Sequence, residues 1–287
     1  MMRIKVPATT ANLGPGFDSC GLALSLYLEL DVTPVDTWFI EHQLGDGIPT
    51  DASNLIIETA LALAPHIQPQ HLVMRCDIPS TRGLGSSAAA IVAGIELANQ
   101  LGELKLSAEE KMRIATNIEG HPDNVAPAVF GGLVIAVQLG EETRYTRHNF
   151  PNCDIVAFIP QTELATTLSR SVLPEELPYG TAVKASAISN VMLSSLLSGD
   201  LKQMGEMMAQ DLFHEHYRKS LVPQLELLRE RVKTFDAYGC CLSGAGPTVL
   251  ILSQPEKTAA LMDDLKSFDS TANLIHLNVD TVGIQVN

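Results

Sequence analysis

The chain has 287 residues, with 33 acidic against 19 basic side chains and a formal net charge of −14. That balance excludes nucleic acid and anionic membrane as the main partners, since both repel an acidic chain. A hydrophobic content of 46% supports a sizeable core, in one large domain or two ordinary ones, and excludes a disordered chain.

Residues 3–7 read as a short strand, and 8–21 as a loop rich in Gly, Pro and Asn. Residues 22–32 alternate in part and favour β structure, so they read as a second strand, with 38–42 able to pair with it. Ser53 is placed to cap an apolar helix that ends before Pro65. A strand over 71–77 leads into a glycine loop. The helix predicted over 87–101 puts Ala88, Ile91, Val92 and Ile95 on one face. Ser107 and Glu110 have the spacing of a capping box for the next helix, through 118. Residues 123–130 read as helical despite Pro127, Gly131-Gly132 ends that helix, and 133–139 is a strand.

The polar stretch 140–152 reads as a connector, so we expect domains over 1–150 and 151–287. In the second, strands are predicted at 153–159, 239–243, 247–252 and 274–279, and helices near 181–198, 200–209, 222–235 and 256–267. Strands with helices on one face imply an α+β sandwich. Five scattered cysteines without a CxxC pair point to free thiols in a reducing compartment. No basic segment followed by an apolar one opens the chain, and no apolar run reaches the roughly 18 residues of a membrane span. The expectation is a soluble, cytoplasmic protein.

The chemistry concentrates in Ile78-Pro79-Ser80-Thr81-Arg82-Gly83-Leu84-Gly85-Ser86-Ser87-Ala88-Ala89. A glycine loop opening into a helix turns several backbone N–H groups toward one point, and such a point attracts phosphate. The Walker pattern GxxxxGK[ST] is absent. Gly83 to Ala88 also fit the relaxed dinucleotide pattern GxGxxA, with Glu103 near where a ribose-binding acid would stand, so an oxidoreductase remains an alternative. A serine at such a helix start can offer its hydroxyl to Mg²⁺, and Glu119 is the best carboxylate to join it. Asn12 and Asp18, in the first Gly/Pro loop, serve either a pocket or turn chemistry. Leu242-Ser243-Gly244-Ala245-Gly246-Pro247 is wider than a plain hairpin and lets backbone approach a ligand. Glu119-Gly120-His121-Pro122-Asp123-Asn124 packs four functional side chains into six positions.

PATTANLGPGFDSCGLAL at 7–24, IPSTRGLGSSAAA at 78–90 and LSGAGPTV at 242–249, in that order, resemble the three motifs of the GHMP small-molecule kinases. The first motif, with EGHPDNVAPAVFGG at 119–132, is similar to the branch that phosphorylates homoserine. The resemblance implies an α+β two-domain fold, with a left-handed βαβ unit in the N-terminal domain and a ferredoxin-like α/β sandwich in the C-terminal one. It implies ATP along Pro79, Ser80, Thr81, Arg82, Gly83, Leu84, Gly85, Ser86, Ser87, Ala88 and Ala89, with Asn54 on the adenine side. It places Mg²⁺ on Ser87 and Glu119.

For an acceptor such as L-homoserine, it implies Arg170 and Arg218 for the carboxylate, and Asp18 and Asp123 are candidates for the ammonium. A guanidinium suits a carboxylate because its donors form a planar fork. Asn12, His121, Asn124, Thr166 and Gly244 complete the acceptor site. Ser86, Ser87, Asp123 and Asn124 are the residues nearest the transfer itself. Asn124 stands where mevalonate kinases carry an aspartate base. An amide cannot take a proton, so transfer without a dedicated protein base is expected, with Asp123 as the alternative base. The resemblance also implies a homodimer. A related kinase for another small alcohol and a non-catalytic nucleotide sensor remain open.

Overall fold

The structure, a computed structural model, describes residues 2–45 and 47–287. The first part of the chain forms β1 (Met2–Ala11), β2 (Cys20–Pro34), β3 (Phe39–Glu41), α1 (Leu55–Leu63), β4 (Gln70–Cys76), α2 (Ser86–Leu101), α3 (Ala108–Glu119), α4 (Pro122–Phe130), β5 (Leu133–Leu139) and β6 (Glu142–His148). Strand β2 is the spine: its start pairs with β5, its second half with β4, and its length with β1. Strand β3 runs parallel to β4 with α1 between them, which makes the βαβ crossover.

The second part forms β7 (Asp154–Ile159), α5 (Thr166–Ser171), α6 (Tyr179–Ser198), α7 (Leu201–Met208), α8 (Glu215–Arg218), α9 (Gln224–Lys233), β8 (Gly239–Leu242), β9 (Val249–Ser253), α10 (Thr258–Phe268) and β10 (Asn273–Leu277). Its four strands are antiparallel in the order β10-β7-β9-β8, the ferredoxin-like order. The chain then returns: Val279 bridges Leu24, and β11 (Gln285–Val286) pairs with β1 in the first sheet.

Several local expectations change. Residues 8–11 continue β1 past a bulge at Pro7/Ala8 instead of entering the loop, and their pairing with 21–24 buries Thr9 and Thr10. Residues 39–41 pair with β4, not with β2, because β1 and β4 already occupy both edges of β2. Asn54, not Ser53, caps α1: Ile56 N–H donates to Asn54 Oδ1 at 3.1 Å, while the Ser53 hydroxyl turns to Asp51 at 2.6 Å. The connector at 140–152 contains β6, a charged edge strand whose Tyr145 stacks on Phe130 at 4.5 Å. Helices lie on both faces of the second sheet, not one. Ile155 and Ala157 share a core with Met192 and Met204, whereas Val156 and Phe158 share one with Leu228 and Leu261.

The capping box of α3 forms as spaced, and the helix ends at Gly120 with φ +89°. Pro127 removes the N–H that would bond Asp123 C=O. Gly21 fills that place: a Cβ there would lie 1.7 Å from Asp123 O, so the first strands can approach the start of α4.

Candidate active site

A cavity of about 430 Å³ opens between the glycine loop, the first turn and the start of α5. Gly83 and Gly85 hold φ of +76° and +71°. A Cβ at Gly83 would lie 2.2 Å from Ser243 O, and one at Gly85 2.0 Å from Thr9 Oγ1, so the loop is clamped between β1 and the third glycine segment. Ser243 Oγ completes the clamp by donating to Gly83 O at 2.5 Å. Gly85 is the N-cap of α2 and supplies no side-chain acceptor, and the first turn of α2 holds no acidic residue. Its free N–H groups and helix dipole favour an anion. Arg82 lines the cavity, but its guanidinium is turned to Pro160 O, Gln161 O and Glu163, which ties the loop to the second half of the chain.

Ser87 Oγ donates to Glu119 Oε2 at 3.2 Å. Burial pushes the Glu119 carboxyl up, partly opposed by His121 and by the Ser87 hydrogen bond. His121, N-cap of α4, pairs through Nδ1 with the buried Asp123 carboxylate. Burial alone would lower the imidazole, but the hydrogen bond and charge of Asp123 outweigh it and hold His121 above its ordinary value. Asn124 Oδ1 accepts from Thr9 Oγ1 at 2.9 Å.

On the opposite wall Arg170 grips Asp18 with both terminal nitrogens, at 3.2 and 2.7 Å. Burial works against that guanidinium, yet the Asp18 bond and charge keep it raised. Asp18 sits at φ +52° and donates its N–H to Asn12 Oδ1 at 3.0 Å, while Asn12 Nδ2 donates to Gly244 O at 3.0 Å. Arg218 is 2% exposed and donates from Nε to Ser169 O and from Nη1 to Gly244 O. Burial lowers it to about 10, with Arg170 adding to the effect. The Phe17 ring lies 5.7 Å from the Arg170 guanidinium and 5.6 Å from that of Arg218.

Glu103, the acid of the dinucleotide alternative, does not line this cavity; every residue of the implied kinase site does, except Ala88 and Ala89. Those two are 0% exposed in α2 and face the core, because the helix turns them away after Ser87. Asn54 lines it while its amide caps α1 and donates to Pro49 O at 2.8 Å. Sequence reasoning missed Phe17 and an apolar wall of Leu28, Leu44, Ile48, Pro49, Met74 and Cys76 near Asn54. Leu44 and Ile48 stand out only as apolar residues in a polar loop. The Cys20 thiol, pushed up to about 12 by burial, is a packing group.

The pattern of the GHMP kinases N terminal domain matches residues 54–132, and that of the GHMP kinases C terminal domain matches 192–267. The homoserine kinase of Listeria innocua is 58% identical over 286 residues, covering 99% of each chain. The homoserine kinase of Enterococcus faecalis is 52% identical over 286 residues, covering 99% of this chain and 100% of its own. A solved Listeria monocytogenes structure, provisionally identified as a homoserine kinase, superposes with a TM-score of 0.90 at 52% identity, over 100% of this chain and 99% of that one. A phosphate-attracting loop, a facing wall of paired charges and relatives matching end to end lead to one conclusion: the chain belongs to the GHMP kinase family, among its homoserine kinases.

Proposed function

We propose that this chain transfers the γ-phosphoryl group of ATP to the side-chain hydroxyl of L-homoserine, giving O-phospho-L-homoserine for threonine biosynthesis. The carrying observation is that one cavity joins the uncapped start of α2 to the carboxylates of Asp18 and Asp123 and the guanidinium groups of Arg170 and Arg218. The apolar wall near Asn54 takes the adenine, and N–H groups at 85–87 take the phosphates. Arg170 and Arg218 bind the carboxylate of homoserine, while Asp18 and Asp123 bind its ammonium.

Two groups compete for a dication. Asp18, His121 and Asp123 offer ligand atoms within 4.8 Å of one another, but they include an imidazole and are already paired with Arg170 and with each other. Ser87 and Glu119 are two hard oxygen donors at the phosphate end, and they fit Mg²⁺. When bound, Mg²⁺ supplies charge neutralisation on the phosphate oxygens.

Phosphoryl transfer passes through a loose transition state, so positioning and charge stabilisation supply most of the catalysis. Asn124 orients through Thr9 and cannot accept a proton. Asp123 Oδ1 already accepts from His121 and, at 3.4 Å, from Asn124 Nδ2, which makes it a poor base. Both observations support transfer without a dedicated protein base.

We further assign domains to 1–150 and 151–287, with 279–287 returning to the first sheet. We read the enzyme as a cytoplasmic homodimer. Five free cysteines support a reducing compartment, and among the described residues no helix is long and apolar enough to cross a membrane. Light scattering tests the dimer. The deciding experiment is ADP release with L-homoserine, with and without Mg²⁺, beside mevalonate and other small alcohols. Homoserine-dependent, Mg²⁺-dependent release is expected; equal rates with an alcohol lacking the amino-acid group would overturn the reading.

A further inference from the structure

His214 is a fully buried imidazole, 0% exposed, for which the reaction has no direct use. It is the N-cap of the short helix α8, where Asp211 Oδ2 accepts its backbone N–H at 2.9 Å and that of Glu215 at 2.7 Å. Its ring stacks on Phe17 with centroids 5.0 Å apart and planes at 19°. Nε2 lies 2.9 Å from Gly14 O, in the first motif, and Nδ1 lies 2.7 Å from Arg218 Nη1. A carbonyl only accepts and a guanidinium only donates. One ring state satisfies both: neutral, with the proton on Nε2 and a lone pair on Nδ1.

That arrangement decides how Arg218 meets a ligand. Its Nε–H is given to Ser169 O at 3.0 Å. Its two Nη1 hydrogens are given to His214 Nδ1 and, at 3.2 Å, to Gly244 O. Among the described residues Nη2 has no protein acceptor, and Arg218 lines the cavity. We propose that His214 is a positioning residue for the acceptor. It joins the first-motif turn to Arg218 and orients the guanidinium so that only its Nη2 end is presented to the substrate carboxylate. The role rests on the homoserine kinase reading, because it needs Arg218 to hold that carboxylate.

The test compares His214→Ala, His214→Asn and Arg218→Leu with homoserine and with 3-aminopropan-1-ol, the same amino alcohol without its carboxylate. The ratio of the two kcat/KM values is independent of how much enzyme is folded. Losing one hydrogen bond to a charged group corresponds to about 10- to 100-fold. His214→Ala is expected to raise the homoserine KM by that factor and to lower the ratio equally, with the ATP KM within about twofold. Asn keeps an acceptor at the Nδ1 position, so His214→Asn is expected to recover most of the ratio. An unchanged ratio in His214→Ala overturns the proposal, as does an Asn variant no better than Ala. Loss of folding in both variants also overturns it, since the ring would then be architectural. If Arg218→Leu itself leaves the ratio untouched, the carboxylate assignment fails; if Arg218→Leu collapses the ratio and His214→Ala does not, only the positioning role fails.

Discussion

On the proposed nucleotide side of the cavity, the groups offered to a ligand are mostly backbone N–H groups and two serine hydroxyls from one short segment, 83–87. On the proposed acceptor side they are the charged side chains of Asp18, Asp123, Arg170 and Arg218, drawn from four separate places in the chain. A loop of contiguous residues is locally specified: glycine φ values and a helix start are enough to aim its N–H groups. The acceptor wall has no such local source. Its arginines are held by Asp18, Ser169 O and Gly244 O, partners far from them in sequence, and by His214, one helical turn before Arg218.

The largest effect is expected where the two sides touch. In Gly83→Ala the new Cβ would meet Ser243 O at 2.2 Å and Gly246 O at 2.9 Å, both backbone atoms that cannot swing away. We expect kcat/KM to fall roughly 100-fold or more, about 2.7 kcal/mol in the barrier. Steady-state ADP release with both substrates checks this, and near-wild-type activity would break the picture of a clamped loop.

Arg218→Leu tests the acceptor side alone. It should raise the homoserine KM about 30-fold or more, as for removal of one partner of a buried charge contact, and leave the ATP KM in place. A fall in kcat at constant KM would remove Arg218 from carboxylate binding.

Ser87→Ala tests the nucleotide side alone. It should raise the Mg²⁺ and ATP concentrations needed for half-maximal rate about tenfold, with the homoserine KM unchanged. Magnesium titrations of variant and parent decide it, and identical curves would take Ser87 out of the metal site.

The smallest effect is a pH shift on the same side. Burial holds the Glu119 carboxyl above the ordinary carboxylate value. The neutral form therefore persists to higher pH than for an exposed glutamate, and metal affinity should grow only as pH rises through that raised value. Ser87 donates to this carboxylate and opposes the rise, so Ser87→Ala should move the acid limb of the Mg²⁺-dependence to higher pH. A limb that stays in place would uncouple the two residues.

Legibility followed the range of the causes. The α3 capping box and the strand over 133–139 emerged where the residues placed them, because each depends on spacing within a few positions. Asn54 displaced Ser53 as a cap once Asp51 engaged the serine hydroxyl. The helices α5 and α8 are too short for periodicity, yet they carry Arg170 and Arg218 into the cavity. Arg82 reads as a phosphate ligand by position, but carbonyls of 160 and 161 claim its guanidinium.

By itself the sequence determined three glycine-bearing segments, their order, and the helix start that draws anions, since backbone permissiveness and helix dipoles need only neighbours in the chain. Tertiary structure alone decided which side chains share the cavity and how each is aimed. Asp18 meets Arg170, and Gly14 meets His214, only because the two halves of the chain pack together. Directional bonds between distant segments require that packing before any of them can form.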